Sequence, residues 1–121
     1  MKSTLSLKKN NDFQRVLQKG KWYNGKLISI YILKNNKDIN FIGIAVGKKA
    51  GKAVKRNRIK RVIREAYRKI DPEIIKGNTI VIVWKSKNVY ENLKFCTVKE
   101  DMIKCFSKAG ILLWKNVLFF W

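Results

Sequence analysis

Histidine is absent from this 121-residue chain. Without it there is no Ser–His–Asp or Cys–His arrangement for acyl transfer. Most zinc-binding spacings are removed as well. Cysteine occurs twice, at Cys96 and Cys105, with no Cys-x-x-Cys pair. Two such thiols fit space-filling roles in a reducing compartment. Acids are scarce: Asp12, Asp38, Glu65, Asp71, Glu73, Glu91, Glu100 and Asp101 are all of them. None of their spacings suggests a two-metal carboxylate site. Glu100 and Asp101 are adjacent, so on a helix they would point about 100° apart. All eight read as surface residues, and the chain is assigned no catalytic residue and no metal ligand. No apolar run approaches the roughly 20 residues needed to span a bilayer. The N-terminus, MKSTLSLKKNNDF, lacks the apolar stretch of a secretory signal. The expected location is the cytoplasm.

What the chain has instead is base. Lysine and arginine number 28 against 8 acids, giving a net charge of +20 and a pI near 10.3. Such a balance points first to nucleic acid and second to an anionic membrane surface. The density peaks between Gly47 and Lys69, where Lys48, Lys49, Lys52, Lys55, Arg56, Arg58, Lys60, Arg61, Arg64, Arg68 and Lys69 face a single acid, Glu65. This stretch also has helical order. Ile59, Val62, Ile63, Ala66, Tyr67 and Ile70 recur at three-and-four spacing along one face. Asn57, Lys60, Arg61, Arg64 and Arg68 fall on the other. Like charges at i, i+4 repel, and an ordinary solvated helix mixes both signs. A face this one-sided suits a polyanion better than bulk water. The preceding Gly47-Lys-Lys-Ala-Gly-Lys52 is too short between its glycines for a nucleotide-phosphate loop, and no Ser or Thr follows the lysine. It reads as a basic loop leading into the helix.

The length suits one domain, residues 1–110, followed by a hydrophobic tail, 111–121. Asn10, Asn11 and Asp12 can cap a short helix carrying Phe13, Val16 and Leu17, with Gly20 ending it at C′. Phe13 and Leu17 are most simply core; the alternative is that they line a cleft. Residues 26–33 and 41–46 read as strands, and together as an antiparallel hairpin. Tyr31 either caps the core or presents its ring on an open sheet face, where a base can stack. After the central helix, Asp71-Pro72 breaks the periodicity. Residues 79–84 form a buried strand. A third helix runs from about Tyr90 to Ala109, with Val98, Met102, Cys105, Phe106 and Ala109 on one face, and Gly110 ends it. The tail, ILLWKNVLFFW, is too short to span a membrane; it packs back, docks a partner or lies exposed. The order is helix–strand–strand–helix–strand–helix. It predicts an α+β domain with a small sheet packed with helices in a two-layer sandwich.

One stretch, VGKKAGKAVKRNRIKRVIREAYR, resembles the signature of the bacterial ribonuclease P protein family. Arg56-Asn57-Arg58, then Lys60-Arg61, Arg64-Glu65 and Arg68, is its most specific part. LKKNNDFQRVLQKG at 7–20 and the YIL at 31–33 are similar to further family segments, so the resemblance covers about residues 5–109. It implies a protein subunit that joins a large catalytic RNA to remove the 5′ leader of precursor tRNA by Mg²⁺-dependent phosphodiester hydrolysis. The RNA is then the catalyst and uses the Mg²⁺. The resemblance assigns Lys48, Lys49, Lys52, Arg56, Asn57, Arg58, Lys60, Arg61, Arg64 and Arg68 to RNA binding, and Phe13, Leu17 and Tyr31 to a cleft for the single-stranded leader. Leu17 departs from the phenylalanine that members often carry there. A small mixed sheet with a left-handed strand–helix–strand crossover is implied, against the general right-handed rule. The expected partners are the catalytic RNA and precursor tRNA, with no small-molecule substrate and no membrane. The alternative is a non-enzymatic ribosome-associated or RNA-chaperone protein.

Overall fold

The computed structural model describes residues 4–85 and 93–113. Its strands are β1 (Thr4–Ser6), β2 (Lys21–Asn24), β3 (Ile28–Lys34), β4 (Asn40–Ala45) and β5 (Asn78–Trp84). Its helices are α1 (Asn10–Lys19), α2 (Ala53–Ile70) and α3 (Phe95–Ala109), with 3-10 turns at Lys48–Ala50 and Asp71–Glu73. One mixed sheet runs in the order β1-β4-β5-β3-β2. The class is α+β.

The strands at 26–33 and 41–46 do not form the expected hairpin. β5 inserts between them, antiparallel to β3 and parallel to β4. β4, α2 and β5 therefore make one strand–helix–strand unit. The cause is visible in β5, whose NTIVIVW run is buried on nearly every residue. A strand apolar on both faces belongs at the sheet's centre. Two further strands close the edges. β2 pairs antiparallel with β3, and the three-residue β1 lies parallel to β4.

Alternation along the strands divides the sheet into two faces. Ile28, Ile30 and Ile32 of β3, Ile42 of β4, and Ile80, Ile82 and Trp84 of β5 point into the main core. There they meet Ile59, Ile63, Ala66, Tyr67 and Ile70 of α2 and Val98, Met102, Cys105 and Phe106 of α3. Tyr67 and Phe106 meet edge to face, centroids 6.2 Å apart. The apolar stripe of α2 is thus buried as its spacing predicts. α1 lies across the other face, where Val16 and Val81 are buried apart from the main core.

Several expected details differ. Lys9, in extended conformation, occupies the N-cap of α1, and no side chain caps that helix. Gly20 follows α1 with extended backbone (φ −74°, ψ 157°), because the chain passes straight into β2. Glycine is needed there for space: a Cβ would lie 2.6 Å from the Val16 carbonyl oxygen. Gly110 does end α3 in the left-handed region (φ 72°). α3 itself begins at Phe95, and Tyr90 lies outside the described residues.

Two acids read as surface residues are buried. Asp101, on α3, accepts the backbone N–H groups of Lys26, Leu27 and Ile28 at 2.8, 2.9 and 3.1 Å. A carboxylate so supplied satisfies donors that the turn into β3 would otherwise orphan. Asp71 accepts a hydrogen bond from the Thr4 hydroxyl, whose oxygen lies 3.2 Å from the Tyr67 hydroxyl. This links β1 to the C-terminal end of α2. Beyond Gly110, Ile111 and Leu112 are buried, and the Leu113 N–H donates to the Glu73 carbonyl at 2.8 Å. The rest of the tail lies outside the described residues.

Candidate nucleic-acid interface

Helix α2 supplies the first half of the site. Its core stripe fixes the opposite face outward, leaving Asn57, Arg58, Arg61, Arg64 and Arg68 exposed, with Arg56 and Lys60 half-buried. Glu65 pairs with Arg68 at 3.3 Å, both side chains about half exposed. Among the described residues no carboxylate pairs with Arg58, Arg61 or Arg64. The first turn of α2 has no acid, and the N-cap is Lys52, which makes no side-chain cap. Backbone N–H groups there carry partial positive charge, so lysine and helix terminus present the same sign outward. The Arg56 Nε is buried, with no hydrogen-bond partner among the described residues. The 3-10 turn before the helix exposes Lys48 and Lys49. Gly51 then turns the chain at φ 130°, a region that favours glycine.

The second half is the sheet face beneath α1. In one register row, Gly43 of β4, Val81 of β5, Tyr31 of β3 and Trp22 of β2 stand side by side. Residues so paired project to the same face. α1 covers the Gly43 end of the row. A Cβ added to Gly43 would come within 2.5 Å of Phe13 Cζ, so the Phe13 ring lies directly on that glycine. Leu17 is half-buried one turn further along the same face of α1. Tyr31 is half-buried and Trp22 exposed. The next row, Ala45, Val83, Ser29 and Asn24, continues the face toward the end of β4. Ala45 and Val83 are partly exposed there, so solvent reaches this part of the sheet. The outcome is a trough with α1 as one wall and the sheet as floor. Three residues after Ala45 the chain presents Lys48.

The predicted cleft residues Phe13, Leu17 and Tyr31 therefore do converge on one face of the sheet. The arginines lie elsewhere: α2 packs against the opposite face, so the cationic stripe and the trough flank the sheet layer. Two contributors escape the sequence reading. Gly43 provides the flat seat for Phe13, and Trp22 extends the aromatic row. The signal for β2 is the turn-forming pair Asn24-Gly25 ahead of β3; the turn itself centres on Lys26-Leu27, with the Gly25 N–H donating to the Ile28 carbonyl at 2.9 Å.

Buried ionisable groups complete the electrostatics. The Cys105 thiol is pushed up to about 11 by burial, with the nearby Asp101 charge adding to it. Burial also raises the Tyr67 hydroxyl, so that it stays neutral. Both belong to the core. Among the described residues no group of three or more His, Cys, Asp or Glu comes together to hold a metal ion.

This arrangement has close counterparts. The family model described as Ribonuclease P matches residues 1–110. The chain belongs to the ribonuclease P protein family. The "Ribonuclease P protein component" of Clostridium acetobutylicum is 37% identical over 115 residues, covering 92% of this chain and 95% of that one. That of Natranaerobius thermophilus is 36% identical, covering 98% and 100%. Among solved structures, the Staphylococcus aureus RNase P protein superposes with TM-score 0.77 at 29% identity, covering 88% of this chain and 96% of that one. The Thermotoga maritima RNase P protein gives 0.76 at 31%, covering 85% and 96%. As a ribonuclease P protein subunit, the chain takes part in tRNA 5′ processing. The ribosome-associated or RNA-chaperone alternative is not favoured. Among the described residues no helix is long and apolar enough to cross a membrane.

Proposed function

We propose that this chain positions precursor tRNA for a catalytic RNA, holding the single-stranded 5′ leader in the trough while its arginine-rich helix engages RNA. The observation that carries the reading is the register row itself. Phe13 and Tyr31 share one solvent-reached sheet face of a strongly basic molecule. Aromatic rings in a cationic groove hold unpaired nucleotides with little sequence preference, because every base has a π-face. That suits leaders of varying sequence. Lys48, Lys49, Lys52, Arg56, Asn57, Arg58, Lys60, Arg61, Arg64 and Arg68 supply phosphate contacts, whose affinity comes from counterion release. Phe13, Leu17 and Tyr31 line the leader path.

The hydrolysis belongs to the RNA in this reading. The buried acids Asp71 and Asp101 accept protein donors, so neither is free to serve as a Mg²⁺ ligand. The Mg²⁺ of the holoenzyme is assigned to the RNA. The cytoplasm is where the substrate would be met.

The test is leader cleavage of a precursor tRNA at low Mg²⁺, with protein alone, with a bacterial ribonuclease P RNA, and with that RNA plus an Arg61→Ala/Arg64→Ala variant. Stimulation is expected only with RNA present, and to be weakened by the variant. A folded wild-type protein that fails to stimulate would sink the reading.

A further inference from the structure

The geometry points to Trp22 as a nucleotide-stacking platform that carries the leader path past Tyr31 to the β2 edge of the sheet, an inference that rests on the leader-binding reading above. Trp22 is 57% exposed although it sits within a paired strand. A single exposed apolar side chain is ordinary; its position is not. Trp22 is the register partner of Tyr31, so the two Cβ atoms lie about 5 Å apart on one face. That face is the one on which Phe13 rests over Gly43. The rings stand over β4, β3 and β2, a span of three strand spacings, or roughly 14 Å. Leu17 contributes no ring to this row, and Trp22 adds one at its open end.

The indole lies outside the main core. Its neighbour Tyr23 points to the other face and packs against the core. Exposed Lys26 lies in the connection to β3 at this edge, while Lys21, one residue before Trp22, projects from the opposite face with Tyr23. The occupant that matches an exposed indole continuing an aromatic row on a +20 chain is an unpaired nucleotide.

The experiment uses the reconstituted holoenzyme and precursor tRNAs whose leaders lengthen one nucleotide at a time, with mature tRNA as reference. Affinity is measured for wild type, Trp22→Ala, Trp22→Thr, Trp22→Phe and Tyr31→Ala. Threonine keeps a strand-forming residue at the edge, so a folded variant without the ring is available. Trp22→Ala and Trp22→Thr are expected to lose roughly tenfold. The loss should begin only at leaders longer than those at which Tyr31→Ala first loses affinity, and Trp22→Phe should retain most of the binding. If Tyr31→Ala weakens leader binding but the Trp22 variants match wild type at every length, the platform is overturned and the trough stands. A Trp22 loss that is equal on mature tRNA also overturns it. If neither position affects any leader, the leader reading itself falls.

Discussion

Asp101 shows how much a single residue decides. It was legible in the sequence only as one of two adjacent acids. In the fold it closes the turn before β3 by accepting three backbone N–H groups. It also crowds Gly25, where a Cβ would sit 2.4 Å from its Oδ2. Such a role depends on elements more than 70 positions apart, and no local pattern announces it. The neighbouring thiol of Cys105 responds to the same enclosure. Its pKa of about 11 leaves on the order of 0.1% thiolate at pH 8. Cys96 is exposed. Alkylation of the native protein at pH 8, followed by mass spectrometry, should modify Cys96 alone, with Cys105 reacting only after denaturation. Equal labelling of both would contradict the packing of α3 against β2.

Among the elements, α2 was the most readable, because its apolar positions repeat on one face and its charges on the other. All five of its buried residues belong to the predicted stripe. The sheet was less readable. Sequential strands usually neighbour one another, and that expectation joined β3 to β4. The insertion of β5 follows from α2 spanning two parallel strands, a long-range choice. β1 is too short for any alternation to show. The cleft residues were recognisable by type and by family resemblance, but their meeting depends on α1 crossing the sheet at Gly43. That contact gives an element-level test. Gly43→Ala would displace the Phe13 ring, the far end of a flexible side chain, at little cost to the fold. The expectation is a several-fold loss of leader-dependent affinity, with the melting temperature lowered by a few degrees at most. Unchanged leader affinity would argue against Phe13 as part of the path.

For the molecule as a whole, charge is the governing quantity, and composition already displayed it. Binding to ribonuclease P RNA should weaken steeply with salt. In the Arg61→Ala/Arg64→Ala variant, the slope of log affinity against log salt should flatten by roughly 1.4 to 1.8, from about 0.7–0.9 per lost phosphate contact. A titration of affinity across salt concentrations measures this directly. A slope identical to wild type would place both arginines away from the RNA backbone.

The tie from Thr4 to Asp71 and Tyr67 also orders events during synthesis. β1 is made first, yet its side-chain partners arrive only with residues 67 and 71. The strand that must separate β3 from β4 comes later still, ending at Trp84. A nascent chain therefore leaves the ribosome with its central sheet edges unpaired until most of it has been made. Such edges are templates for aggregation. Through that interval the unfinished chain already carries the dense bases of α2, and their mutual repulsion keeps emerging copies apart. The same arginines that suit the finished protein to RNA thus shield it before it has folded.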